Sequence, residues 1–112
     1  MSETAAEKIA SRLAELWLTS RPTILERMAL LRAACEALAA HPDDGSARNS
    51  GREAAHKLSG VLGMFGLPQG SEIASSLEEL LKSTAPLTPA DLSWLRGGIA
   101  DLDEVIAAKS RQ

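Results

Sequence analysis

His56 is the residue of this chain whose type and surroundings are best suited to chemistry at a surface. At about 100° per helical residue, an apolar stripe falls nearly opposite it, made of Ala54, Leu58, Val61 and Phe65. Gly60 and Gly63 fall within about 40° of His56, one and two turns further along the same face. The spacing therefore predicts a helix that buries the stripe and presents the imidazole outward with open space beside it.

An imidazole in this position is equipped to act as a nucleophile. An imidazole with the unperturbed pKa of about 6.5 is largely neutral near pH 7, and its free nitrogen can attack an electrophile. Arg52, one turn before His56, and Lys57, next to it, add positive potential that favours a phosphoryl group. Gly60 and Gly63 remove side chains that would block a bulky phosphorylated partner. This pattern predicts phosphoryl chemistry at His56.

The competing interpretation is a plain surface histidine on a helix that happens to contain glycines. An exposed helix with Gly60, Gly63 and Gly66 gives up on the order of 2–3 kcal/mol of intrinsic helix propensity. An inert histidine offers no reason for that loss. Close helix packing is another reason for glycine, but Gly60 and Gly63 point away from the apolar stripe.

Composition limits the function classes. The chain has 112 residues, 45% of them apolar and 24% charged, with a formal net charge of −3, as expected for one globular domain spanning residues 1–112. Abundant alanine and leucine, few β-branched residues and no tyrosine favour helices over strands. No basic patch indicates nucleic-acid binding, and no apolar run approaches the ~20 residues of a membrane span.

Localisation and metal binding are predicted from cysteine, histidine and the N-terminal residues. The first residues lack the apolar stretch of a secretory signal, and the single Cys35 excludes an intramolecular disulfide, so we predict a cytoplasmic protein. His41 and His56 with Asp43 and Asp44 do not form a recognised metal-ligand spacing. We therefore expect no metal site, and we expect Trp17 and Trp94 to pack in the core or at a bundle end.

Apolar periodicity and turn residues predict five helices, at about residues 3–19, 22–40, 47–66, 70–83 and 89–109. Pro22 suits the first turn of a helix, which separates the first helix from the second. Four helices carry long apolar stripes and are joined by short connections, while the N-terminal one is shorter. The fold class is thus predicted to be all-α, an antiparallel four-helix bundle with an additional N-terminal helix. A bend or close contact is expected at Gly97-Gly98.

The segment around His56 resembles a known family. The run AHKLSGVLGMFG from Ala55 to Gly66, followed by Leu77-Glu78, is similar to the motif of histidine-containing phosphotransfer (HPt) domains. That motif has alanine before the histidine, leucine two positions after it, glycine four positions after it, and a Leu-Glu pair downstream. The matching residues are Ala55, His56, Leu58, Gly60, Gly66, Leu77 and Glu78.

The resemblance implies an intermediate in a two-component phosphorelay. His56 would accept a phosphoryl group, through Nε2, from the phosphoaspartate of one receiver domain and pass it to the aspartate of another. Gly60 would let the receiver approach closely. The receiver would supply Mg²⁺, so this chain would need no cofactor of its own. The implied partners are response-regulator receiver domains and a (hybrid) histidine kinase, and the family favours a monomer. No nucleotide motif suggests a kinase.

One position departs from the family pattern. Family members commonly have lysine three positions after the histidine, and this chain has Ser59. Arg52, Lys57 and Lys82 are possible substitutes for that charge. Glu78 either orients the imidazole or is a solvated helix residue, and the sequence leaves both open.

The surface around His56 should contact the partner. We expect it to be rimmed by small or apolar residues such as Gly63, Met64 and Leu67. Two alternatives remain beside the phosphoryl carrier. One is an HPt-like docking module that binds a receiver or histidine kinase and regulates it without carrying phosphate. The other is a structural helical domain in which the histidine is incidental.

Overall fold

The computed structural model describes residues 3–112, in which there are four α-helices and no strand. The helices are α1 (Ala5–Ala40), α2 (Gly45–Met64), α3 (Pro68–Lys82) and α4 (Pro89–Ser110). Each helix packs on the next, and α4 packs on α1, so the four form a closed ring. Trp17 of α1 contacts Phe65 just after α2, while Ala34 further along α1 lies against Gly51 near the start of α2. Helices α1 and α2 are therefore antiparallel, and the contacts of α3 with α2 and with α4 run in opposite directions in the same way, as predicted.

The additional N-terminal helix is not a separate element. The segments predicted as helices 3–19 and 22–40 form one continuous helix of 36 residues, with Pro22 inside it. Proline lacks the N–H that would bond the carbonyl of Leu18. Both residues are exposed, so water can satisfy that carbonyl and the helix continues. The prediction treated proline as a helix start, which is only one of the positions it tolerates.

The first turns of α1 project beyond the rest of the bundle. A helix of this length spans about 54 Å, and the molecule measures 60 × 21 × 20 Å. Residues 3–15 are all exposed, and Trp17 is the first buried residue among residues 3–112. The bundle that holds the site thus begins near Trp17.

A single apolar core fills the ring. Its largest fully buried side chains come from all four helices: Ile24, Met28, Leu31, Leu38, Leu58, Leu62, Leu77, Leu81, Leu95 and Leu102. Trp17 closes one end with its ring edge-on to Phe65, at a centroid distance of 5.2 Å. Trp94 is instead half exposed, so the packing prediction holds for Trp17 and is wrong for Trp94.

The glycine pair in α4 has two different environments. A Cβ at Gly98 would lie 2.7 Å from Cδ2 of Leu77, so a side chain at position 98 would force the Leu77 side chain of α3 to shift. A Cβ at Gly97 would meet nothing within 4 Å. The expected close contact is thus present at Gly98 alone, and packing does not explain glycine at position 97.

The thiol of Cys35 faces the core. Burial raises the pKa of this thiol, which keeps it in the unreactive protonated form. We expect the native protein to react with a thiol-specific disulfide reagent at least about 100-fold more slowly than the urea-unfolded chain, because the reagent must wait for local opening. Equal rates in absorbance-monitored labelling would contradict this burial.

Within residues 3–112, no helix is both long and apolar enough to cross a membrane.

Candidate functional site

Helix α2 presents His56 to solvent. Its side chain is 71% exposed, whereas Ala54, Leu58 and Phe65 on the opposite side are buried in the core. The helical period that buries the stripe therefore places the imidazole outside.

Helix α3 brings a carboxylate to the inner side of this ring. Both oxygens of Glu78 lie close to Nδ1 of His56, at 3.0 and 3.2 Å. The Glu78 side chain is only 10% exposed, and Glu78 is the one charged residue that is buried within residues 3–112. Of the two readings that the sequence leaves open, a solvated helix residue is incompatible with this burial.

The contact between His56 and Glu78 assigns the ring tautomer. An ionised carboxylate can only accept hydrogen bonds, so Nδ1 of His56 carries the proton and donates it. The lone pair of the neutral ring is then on Nε2, the nitrogen away from Glu78. Nε2 is therefore the ring nitrogen that the contact with Glu78 leaves unengaged.

Lys82 extends this network to the surface. Its Nζ lies 3.7 Å from Oε2 of Glu78 and donates to Oε1 of Glu79 at 3.1 Å. The hydrogen bond to Glu79, followed by the attraction of the two carboxylates, raises the pKa of Lys82. The ammonium therefore stays charged at neutral pH, and it contacts the Glu78 carboxylate that binds the His56 ring.

The other two cations proposed from the sequence are placed differently. Arg52 donates to Oδ1 of Asn49 at 2.7 Å, and it lines the same cleft as Lys82. Lys57 lines a groove between α1 and α2 that also contains Glu26 and Glu53. Arg52 and Lys82 thus line one cleft on the α3 side of α2, whereas Lys57 lies on the α1 side.

Ser59 is occupied by a contact between helices. Its hydroxyl donates to the carbonyl of Ser71 at 3.0 Å, and the Ser71 hydroxyl donates back to the carbonyl of Ser59 at 2.8 Å. This reciprocal pair ties α3 to α2 one turn after His56. Sequence reasoning missed Ser71, since nothing in its neighbourhood marks it apart from other helix serines.

The same contact separates the roles of the two glycines. A Cβ at Gly63 would lie 3.3 Å from Oγ of Ser71, so Gly63 has a packing reason that its position opposite the apolar stripe did not reveal. A Cβ at Gly60 would meet nothing within 4 Å. Of these two glycines near His56, only Gly60 has no packing reason within the fold.

The remaining predicted contact residues lie beyond the glycines. Met64 is 62% exposed, while Leu67 is partly buried and packs against the core. Gly66 follows α2 with φ +71°, a left-handed conformation that favours glycine, and turns the chain toward α3. The surface around His56 thus carries small and apolar residues toward Met64 and basic residues toward Arg52 and Lys82.

In the part of the chain that the structure describes, no three His, Cys, Asp or Glu side chains come together as a metal site.

Comparison with known proteins agrees with the motif. The family model of the Hpt domain matches residues 12–107, which include all four helices except the first turns of α1 and the end of α4. A search of curated proteins found no match, and neither did a search of solved structures. The family match includes the exposed histidine, its buried carboxylate partner and the bundle that holds them. This chain belongs to the Hpt domain family, which acts in the phosphotransfer of two-component signalling.

Proposed function

We propose that this protein carries a phosphoryl group as a phosphohistidine on Nε2 of His56, between the aspartates of receiver domains. The observation that carries the proposal is the pairing of an exposed imidazole with a buried carboxylate on its Nδ1. A histidine with a plain surface role has no need of a partner that is costly to bury.

The phosphoryl step follows from the tautomer. The Nε2 lone pair of His56 attacks the phosphorus of a receiver phosphoaspartate, an N–P bond forms, and the P–O bond to the aspartate breaks. The aspartate leaves as a carboxylate, and no proton moves. The imidazole becomes a cation, and the Glu78 carboxylate stabilises that charge through the Nδ1–H hydrogen bond. Transfer to a second receiver is the reverse reaction.

Two cations supply the positive potential that Ser59 does not. Lys82 and Arg52 line one cleft beside the site, and Lys82 contacts the carboxylate that binds the ring. They attract the phosphoryl oxygens during approach. The stabilisation of the transferring group itself comes from the receiver and its Mg²⁺, so this chain contributes the nucleophile and its orientation.

The surface toward Met64 is where we place the receiver. Gly60 leaves the backbone of α2 open, and Met64 offers an exposed, adaptable apolar side chain. A dock against one helix face is modest in area and transient, as a carrier that exchanges partners requires. A histidine kinase is the ultimate phosphoryl source.

The test uses phosphoramidate and, separately, a phosphorylated receiver domain. We expect the chain to gain the mass of one phosphoryl group, bound in an acid-labile and base-stable manner, on a peptide containing His56. Complex formation with receivers but no phosphoryl gain from either donor would support the docking module instead. Neither binding nor phosphoryl gain would support a structural domain.

Removing the Glu78 carboxylate should slow this reaction. In Glu78→Ala the ring loses its tautomer preference and the partner for its developing charge, so we expect the rate with phosphoramidate to fall about 10- to 100-fold. Glu79→Ala is the matched control, because Glu79 contacts Lys82 and does not contact His56. Circular dichroism would confirm that both variants fold. Equal phosphorylation rates for the two variants would refute an orienting role for Glu78.

A further inference from the structure

A second feature of the surface lies on a different pair of helices. An open groove of about 410 Å³ runs between α3 and α4. Its base contains Leu77, Gly97 and Gly98, and Trp94 and Ile73 also line it. His56 lies on the α2–α3 side of the bundle, so the groove does not include the site described above.

Glycine at position 97 is unexplained by the fold of this chain. Gly98 is needed because Leu77 packs against it, but a Cβ at Gly97 would meet nothing within 4 Å. A glycine in the middle of a helix costs roughly 1 kcal/mol relative to alanine. Gly60, beside His56, is the other glycine in the interior of a helix that no contact of this bundle requires. In both places the missing side chain leaves room for something outside the chain.

The side chains of the groove suit a cationic and partly apolar ligand. Trp94 is 50% exposed, and an indole face binds guanidinium and ammonium groups. Glu72 and Asp101 line the groove, and no Lys, Arg or His among the described residues does so. Within residues 3–112, neither carboxylate has a cation within 4.0 Å, whereas Asp103 on the same helix as Asp101 pairs with Arg32 at 2.7 Å.

We propose that the α3–α4 groove docks a basic amphipathic segment of a partner protein. An arginine of that segment stacks on Trp94 and pairs with Asp101 or Glu72, and an apolar neighbour enters the space above Gly97. The acidic groove and the basic surface beside His56 have opposite charge. They therefore select different partners, and a protein in the groove leaves His56 accessible to another.

The experiment is an NMR titration of the isotope-labelled chain of 112 residues with two synthetic peptides. The probe is an amphipathic peptide about three helical turns long, with arginines on one face and leucines on the other. The comparison peptide has glutamine in place of each arginine. We expect the arginine peptide to shift the amides of Gly97 and Gly98 and the indole N–H of Trp94. The glutamine peptide should bind at least about tenfold more weakly.

Three variants locate the binding. Gly97→Leu fills the space, Trp94→Ala removes the indole, and the double variant Glu72→Gln/Asp101→Asn removes both charges. Each variant should lower the affinity for the arginine peptide at least about tenfold. Asp43→Asn, in the exposed turn before α2, changes charge elsewhere and should leave the affinity unchanged. Thermal melts would show that each variant is folded.

Several results would overturn the proposal. These are the absence of shifts at millimolar peptide, equal binding of both peptides, or shifts centred on the α2–α3 face. Groove resonances that move with protein concentration alone would identify a second copy of this chain as the occupant. Loss of phosphoryl uptake in the His56 experiments would leave the groove result untouched, because the two surfaces are tested with different ligands.

Discussion

Replacing His56 by glutamine should abolish phosphoryl uptake from both phosphoramidate and a phosphorylated receiver. Glutamine is similar in polarity and length, but its amide has no nucleophilic lone pair on nitrogen. The substitution removes Nε2, the atom that forms the N–P bond in the proposed reaction. Intact-protein mass spectrometry at neutral pH measures the phosphorylated fraction, which should fall to background.

The chain contains a matched control. His41 is its only other histidine; it follows α1 in an exposed turn. His41→Gln should be phosphorylated at the wild-type rate, since no carboxylate orients that ring within residues 3–112. A His56→Gln protein that still gains an acid-labile phosphoryl group would contradict the assignment. Loss of phosphorylation in His41→Gln would instead identify His41, in the turn between α1 and α2, as the acceptor.

The outward position of His56 could be predicted from sequence because it depends on one helix alone. Helical periodicity sets the angle between the ring and the apolar stripe, so a helix that turns Leu58 toward the core points His56 the opposite way. The partnership with Glu78 depends on two helices and their relative register. The motif pointed to Glu78 as a candidate, but only the packing of α3 on α2 decides whether its carboxylate reaches Nδ1 or water.

Register also explains contacts that sequence reasoning did not foresee. Ser59 leaves the site without the usual lysine charge, and its hydroxyl in addition joins α2 to Ser71. Gly63 looked like cleared space, whereas it admits the same Ser71. Both readings treated α2 as isolated. Pro22 was misread for a related reason: its effect depends on whether the freed carbonyl faces water or the core.

The buried carboxylate connects fold and function. Placing Glu78 beneath the surface is unfavourable by itself, because a buried charge must be compensated. Here Nδ1 of His56 and the ammonium of Lys82 both lie against the Glu78 carboxylate and provide that compensation. In the proposed reaction the ring becomes a cation and its attraction to Glu78 strengthens, so the network would favour the phosphorylated state over the free one. We infer that the bundle is preorganised for the charge that develops at His56.

Substitutions at Gly60 should raise stability and lower transfer from a receiver. A side chain at this position meets nothing within 4 Å, so Gly60→Ala should raise the free energy of unfolding by about 0.8–1 kcal/mol through helix propensity. Gly60→Gln adds the same backbone effect together with a side chain that stands beside the ring. We expect transfer from the phosphorylated receiver to fall about 100-fold in Gly60→Gln, because displacing the reacting atoms by about 1 Å is enough for that loss.

Phosphoramidate distinguishes a docking effect from damage to the nucleophile. This donor is small enough to reach Nε2 past the new side chain, so its rate in Gly60→Gln should stay within about twofold of wild type if only docking depends on the space. Thr19→Ala provides the stability control, since it adds helix propensity on the exposed part of α1 and should leave both rates unchanged. If Gly60→Gln accepts phosphoryl groups from the receiver at the wild-type rate, the partner does not approach α2 at this position. The glycine would then have no function that the fold or the phosphotransfer site accounts for.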